Sequence, residues 1–213
     1  VVFAVDRAGL VGEDGETHHG VFDVGFLSQA PNMTVLCPAN TKELEDMMRW
    51  AVCEHNGPVA IRYPRGGNGV YMEPAWSADR SVITHKVGKQ CAIVTYGKLV
   101  NHAIAASEIL NKAGIDAGVI RLARIHPLPK EALLSAIAGY KRVLVVEETC
   151  DGSGIYTKVF WNLCKADPDC EFDHIDIGNR FATHGSTDHL YRHYGLDAES
   201  IANYLLEVLK VEN

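Results

Sequence analysis

What this 213-residue sequence lacks removes whole classes of protein. No segment approaches 18 consecutive apolar residues, which excludes a membrane-spanning helix. The six cysteines, at 37, 53, 91, 150, 164 and 170, form no C-x-x-C pair, so neither a disulfide framework nor a zinc site is expected. They read instead as buried, reduced thiols of a cytoplasmic protein. Positive charge is not in excess: the net charge of -7 argues against non-specific binding to nucleic acid or an anionic membrane. No short-period repeat and no signal peptide are visible. The first residue is Val, not Met, and it falls inside a core-like apolar run, so the expectation is a portion of a longer polypeptide.

What is present is ordinary for a globular chain: 47% hydrophobic and 22% charged residues, in a length that suits one large or two small domains. Short apolar runs alternate with helical patterns. "VVFAV" (1–5), "MTVLC" (33–37) and "PVAIRYP" (58–64) read as buried parallel strands. A short helix is expected within 21–30, closed by Pro31. A second starts at Asn40 or Thr41, with Glu43 as capping-box partner and Leu44, Met47, Met48, Ala51 and Val52 along its apolar face. The stretch 66–84 loses this regularity and gathers Gly and Pro, as linkers do. Beyond it, strands are expected at 91–97, 117–125, 142–148 and 170–178. Helices are expected at 99–113, 130–138, 154–166 and 198–211. Such alternation predicts an α/β protein with two three-layer α/β/α domains and mainly parallel sheets.

In open α/β sheets, ligands sit beyond the carboxyl ends of the strands. That edge receives Arg7 and the loop "DRAGLVGEDGETHHG" (6–20) from the first strand, and Arg65 from the strand 58–64. Two arginine forks can divide the oxygens of a phosphate between them, against the chain's negative average field. His18 is the proton-transfer candidate, because its ordinary pKa lies near neutrality. Asp14 is suited to orient a histidine or meet a hydroxyl.

The run "FAVDRAGLVGEDGETHHGVFD", followed by "YPRGG", resembles the 1-deoxy-D-xylulose-5-phosphate synthases, thiamine-diphosphate enzymes of the transketolase superfamily. "HGS" (184–186) and "GLDAESI" (195–201) are similar to that family's C-terminal domain, whereas "RLARIHPLP" (121–129) departs from its usual run. The resemblance implies that residues 1–66 are the C-terminal half of a pyrimidine-binding domain, 67–84 a linker, and 85–213 the transketolase C-terminal domain. It implies a full-length enzyme, homodimeric as in that family, that condenses pyruvate with D-glyceraldehyde 3-phosphate and releases CO2. That reaction feeds the non-mevalonate isoprenoid, thiamine and pyridoxal precursor pathways. Carried over by resemblance, Arg7 and Arg65 hold the acceptor's phosphate, while Asp14 and His18 lie over the reacting carbon.

The same resemblance places the cofactor-activating glutamate and the thiamine-diphosphate and Mg²⁺ site upstream of Val1. No cofactor is therefore expected on this fragment, which alone is expected to be inactive and to need the N-terminal part of its own chain. Two alternatives stand beside this reading: another transketolase-like enzyme (transketolase or a 2-oxoacid dehydrogenase β subunit), and a non-catalytic interaction module. No metal site is expected. His184, His189 and His193 read as a polar helix face, and "EETCDGSG" (147–154) as a tight strand-to-helix turn. His19 is assigned no role.

Overall fold

The computed structural model describes residues 1–71 and 75–211. Four strands make the first sheet, in the order β1 (Val2–Val5), β3 (Val59–Arg62), β2 (Thr34–Leu36) and β7 (Arg124–His126). The first three are parallel, and β7 is antiparallel to β2. The second sheet has the order β4 (Val82–Lys86), β6 (Ala117–Leu122), β5 (Cys91–Tyr96), β8 (Arg142–Val146) and β9 (Glu171–Ile175). It is parallel except for the edge strand β4.

Strand alternation explains the layers. In the second sheet Cys91, Ile93, Val119, Leu144 and Val146 point one way, into a core shared with α3 (Val100–Lys112) and α7 (Ala198–Val211). Their alternates Ala92, Val94, Ile120, Leu122, Val143 and Val145 point the other way, onto α4 (Lys130–Ile137) and α5 (Tyr156–Ala166). This second core continues into the first sheet through Val35, Cys37 and Ala60 and takes in Val24 and Leu27 of α1 (Asp23–Leu27). The opposite face of the first sheet, Leu36, Val59 and Ile61, is covered by Met47 and Ala51 of α2 (Thr41–Cys53). The expected fold class, two mainly parallel α/β sheets, is the observed one.

Four local expectations are corrected. Residues 117–125 do not form one strand: the chain leaves the second sheet after Leu122 and enters the first at Arg124. Between them Ala123 donates its N–H to the Ser81 carbonyl and accepts that of Cys37, so one backbone residue serves both halves. The apolar face of α2 is rotated from the expected one, with Val52 68% exposed and Glu43 buried. Glu43 turns inward because Arg121 of β6 meets it in the interior, where the ring of Tyr71 lies 5.3 Å from the guanidinium. The thiols are not uniformly buried, since Cys53 and Cys164 are exposed. Strand β4 begins at Val82, within the stretch read as linker. The polar helix face expected around His189 and His193 is that of α6 (Thr187–His193), with His184 lying before its start.

Candidate active site

The loop 6–20 leaves β1 at the carboxyl edge of the first sheet and returns on itself. Gly20 donates to the carbonyls of Arg7 (3.0 Å) and Gly9 (2.9 Å), and its carbonyl accepts from Gly9 N–H at 3.0 Å. A Cβ at Gly20 would lie 2.4 Å from the Arg7 carbonyl oxygen, so only glycine permits this closure. Arg7 itself has a positive φ of 59°, a costly conformation for a residue with a long side chain. The backbone bends there in a way that the loop's crossed hydrogen bonds enforce.

Beneath the loop lies an arginine that sequence reading passed over. Arg62, the last residue of β3, is buried, donates from Nε to Asp23 Oδ1 at 2.6 Å, and reaches the Gly20 carbonyl at 2.8 Å. Burial opposes its charge, but the Asp23 carboxylate together with Tyr96 and Cys37 more than offsets it, so its pKa is raised. The available signal was a charged residue closing the otherwise apolar run "PVAIRYP". From the second domain, Glu148 accepts the Leu10 N–H at 3.2 Å, and Cys150 N–H donates to the Val21 carbonyl at 3.0 Å. Burial pushes the Glu148 carboxyl up, partly offset by Tyr191 and the Leu10 amide.

On this support the structure brings three of the four anticipated residues together. Arg7 Nε donates to Asp14 Oδ2 at 2.9 Å, and Arg65 Nη1 pairs with the other oxygen, Oδ1. Arg7 also pairs with Asp6. Two guanidinium groups from the ends of two parallel strands thus converge on one carboxylate, while both remain substantially exposed. His18 is on the same loop but is not drawn into that cluster. It is exposed, with Nδ1 3.0 Å from the Thr17 hydroxyl, and no hydrogen bond described for it reaches Asp14 or either arginine.

His19, beside it, is buried and bonded on both ring nitrogens. Nδ1 lies 3.1 Å from the Val11 N–H, and Nε2 lies 3.1 Å from the Thr183 carbonyl. An amide can only donate and a carbonyl only accept, so the ring is the neutral Nε2–H tautomer. Burial accordingly lowers its pKa.

The other features singled out in the sequence have structural explanations. Helix α5 carries a carboxylate at its N-terminus, where Glu147 accepts the N–H groups of Ile155 (2.9 Å) and Tyr156 (3.1 Å). The turn "EETCDGSG" is thereby filled from within. His189 and His193 stack at 6.2 Å on the exposed side of α6. Among the described residues, Asp151, His174 and Asp176 have potential ligand atoms within 4.8 Å of one another, with Tyr156 donating to Asp151 at 2.8 Å. A cavity of about 270 Å³ adjoins the rim, lined by Pro38, Asn40, Tyr63, Gly66, Asn68 and Lys98 among others.

Comparison with known proteins supplies the family. The transketolase pyrimidine binding domain matches residues 1–69, and the transketolase C-terminal domain matches residues 80–201. The chain belongs to the transketolase family. It is 40% identical over 216 residues to the 1-deoxy-D-xylulose-5-phosphate synthase of Clostridium kluyveri, and 39% identical over 214 residues to that of Chlorobaculum tepidum. Each match takes in 99% of this chain and 34% of the relative, so the chain spans about a third of the length of these curated relatives. Among solved structures, a split-gene transketolase captured as an inactive β4 tetramer superposes with a TM-score of 0.84 at 26% identity, over all of this chain and 68% of that one. A Pichia stipitis transketolase shares the fold, with a TM-score of 0.79 at 21% identity over 97% of this chain and 29% of its own. Among the described residues no helix is long and apolar enough to cross a membrane.

Proposed function

We propose that this chain is the acceptor-binding part of a 1-deoxy-D-xylulose-5-phosphate synthase, a thiamine-diphosphate-dependent transferase that joins pyruvate to D-glyceraldehyde 3-phosphate with loss of CO2. The observation that carries this reading is the convergence of Arg7 and Arg65 on a single carboxylate at the strand ends. Forks that hold one carboxylate between them have the spacing and charge to hold a phosphate instead. In this reading the phosphate enters between the arginines, and Asp14 turns from them toward the acceptor's hydroxyl. His18, on the open side of the loop, is free to exchange a proton with the reacting carbonyl. Anchoring the remote phosphate orients the aldehyde carbon and lowers the entropic cost of the encounter.

The residues described here do not by themselves fit a metal–diphosphate pair. At the rim Asp14 is held between two guanidinium groups, and the Asp151–His174–Asp176 grouping belongs to the far edge of the other sheet. We therefore assign the thiamine diphosphate and Mg²⁺ site to the remainder of the protein, and expect this part alone to be inactive. The reading is supported by the one-third span of the relatives, and by the exposure of edge strand β1, whose Phe3 is 45% exposed. The upstream part of the chain would pair with that edge, and the whole would be a cytoplasmic homodimer. The likeness to a split-gene transketolase favours one second reading, in which the complement is a separate polypeptide and the acceptor a different aldehyde.

The test is acceptor choice by the full-length protein with pyruvate, thiamine diphosphate and Mg²⁺. Glyceraldehyde 3-phosphate should be consumed with CO2 release at a kcat/KM at least about a hundredfold above that for free glyceraldehyde, the discrimination expected of charge-assisted phosphate contacts. Equal use of the two aldehydes would refute a phosphate-holding rim.

A further inference from the structure

We infer that His19 is a positioning residue, a tie that fixes the loop carrying Arg7, Asp14 and His18 to the second domain; its effect on catalysis rests on the synthase reading above. The loop 6–20 belongs to the first sheet, yet its outer leaf has no regular element of its own beyond a single turn at Gly12–Asp14. Besides the Asp14 pairs and the Leu10–Glu148 bond, that leaf rests on the segment before and into α6. The imidazole of His19 bridges Val11 N–H and the Thr183 carbonyl, the first within the loop and the second in that segment.

Two glycines press the same surfaces together. A Cβ at Gly12 would meet Thr187 Oγ1 at 2.7 Å and its N at 2.9 Å, and one at Gly15 would sit 3.7 Å from His184. The loop therefore lies closely on the second domain at Gly12, and His19 is the side chain that hydrogen-bonds both partners. Turning its ring, or removing it, leaves the buried Val11 amide without an acceptor.

The tie requires a neutral ring. Protonation would place an N–H at Nδ1 facing the N–H of Val11, donor against donor. The charged and titratable groups that bear on the ring are Glu16 and Asp14 of its own loop, which favour the proton, and His184 of the facing segment, which opposes it. Burial outweighs them and favours the neutral form. Because the folded pKa lies below the unfolded one, the tie contributes fully above the ordinary histidine pKa. It is lost as the pH falls through the folded value. Acidification should then loosen the loop and weaken the hold on the acceptor's phosphate, with no change in the arginines' own charge.

The experiment compares His19→Gln and His19→Leu with the wild type in the full-length protein. Glutamine can accept from Val11 and donate to Thr183 without titrating, whereas leucine fills the space and does neither. At about pH 7.5 leucine should raise KM for glyceraldehyde 3-phosphate about tenfold, the worth of a buried hydrogen bond, with KM for pyruvate within about twofold. It should also speed hydrogen exchange in peptides covering 8–20. Glutamine should restore both values and flatten the rise in acceptor KM expected of the wild type as the pH falls below the ordinary histidine pKa. A leucine variant with an unchanged acceptor KM, or a glutamine variant that follows the wild-type pH profile, would overturn the inference. So would a loss of melting temperature in both variants with neither KM moved. Failure of the wild type to turn over the two substrates would sink the synthase reading instead, and the exchange rates at 8–20 would still decide whether the tie exists.

Discussion

Residue by residue, the rim was more legible than its foundations. Arg7 and Arg65 announce themselves as charged groups just after apolar strands and Asp14 as a carboxylate of the glycine-rich loop, and the structure joins them. Arg62 and His19, which hold that group in place, do not. Each satisfies its hydrogen bonds with partners distant in sequence: Arg62 with Asp23 and Gly20, and His19 with Thr183. No local pattern encodes such partners. The cysteines show the same limit. Cys37 lies in the shared core, where burial pushes its thiol up to about 11, and Cys91 is raised to about 11 for the same reason. Cys53 and Cys164 face solvent on helices. With iodoacetamide at about pH 8, mass spectrometry should find Cys53 and Cys164 alkylated, and Cys37 and Cys91 untouched until denaturant is added. Labelling of Cys37 at the rate of Cys53 in the native protein would mean that the core around β2 opens readily.

Elements were legible wherever the physics is local. The start of α2 could be read from the spacing of Asn40 and Glu43, and the Asn40 side chain does accept the Glu43 N–H at 2.9 Å. The capping-box partner behaves differently from expectation, since Glu43 Oε2 accepts from Ala39 rather than from Asn40. Its other oxygen serves Arg121, one domain away, and that long-range pairing is why the buried stripe of α2 departs from simple periodicity. The division of 117–125 into two strands was hidden for a similar reason, because both pieces are equally strand-like and only their hydrogen-bond partners differ. Replacing Asn40 with Ala removes an N-cap, a change that typically costs about 1 kcal/mol. Because the cap also seats Glu43 against Arg121, the loss should approach the upper end of the usual range, about 2 kcal/mol. Urea denaturation checks this, and an unchanged midpoint would mean that the cap is replaced by water without cost.

At the scale of the whole molecule, the two sheets do not act as separate beads. One apolar core runs from α5 through the second sheet to β2 and α1, β7 crosses into the first sheet, and Arg121 pairs with Glu43 across the divide. The consequence for function is that a loop carried by the first sheet is shaped by groups of the second, Glu148, Cys150 and Thr183, and presents its arginines on a rigid base. On the proposed reading, such preorganisation would let two exposed guanidinium groups bind an anion on a chain of net charge -7. The most direct measurement of that claim is the steady-state kinetics of Arg65→Ala in the full-length protein, varying each substrate in turn. Losing one charge-assisted phosphate contact, about 1.5–3 kcal/mol, predicts a rise in KM for glyceraldehyde 3-phosphate of roughly ten- to a hundredfold with KM for pyruvate nearly unchanged. An acceptor KM that stays at the wild-type value, or a pyruvate KM that rises in step with it, would contradict the account.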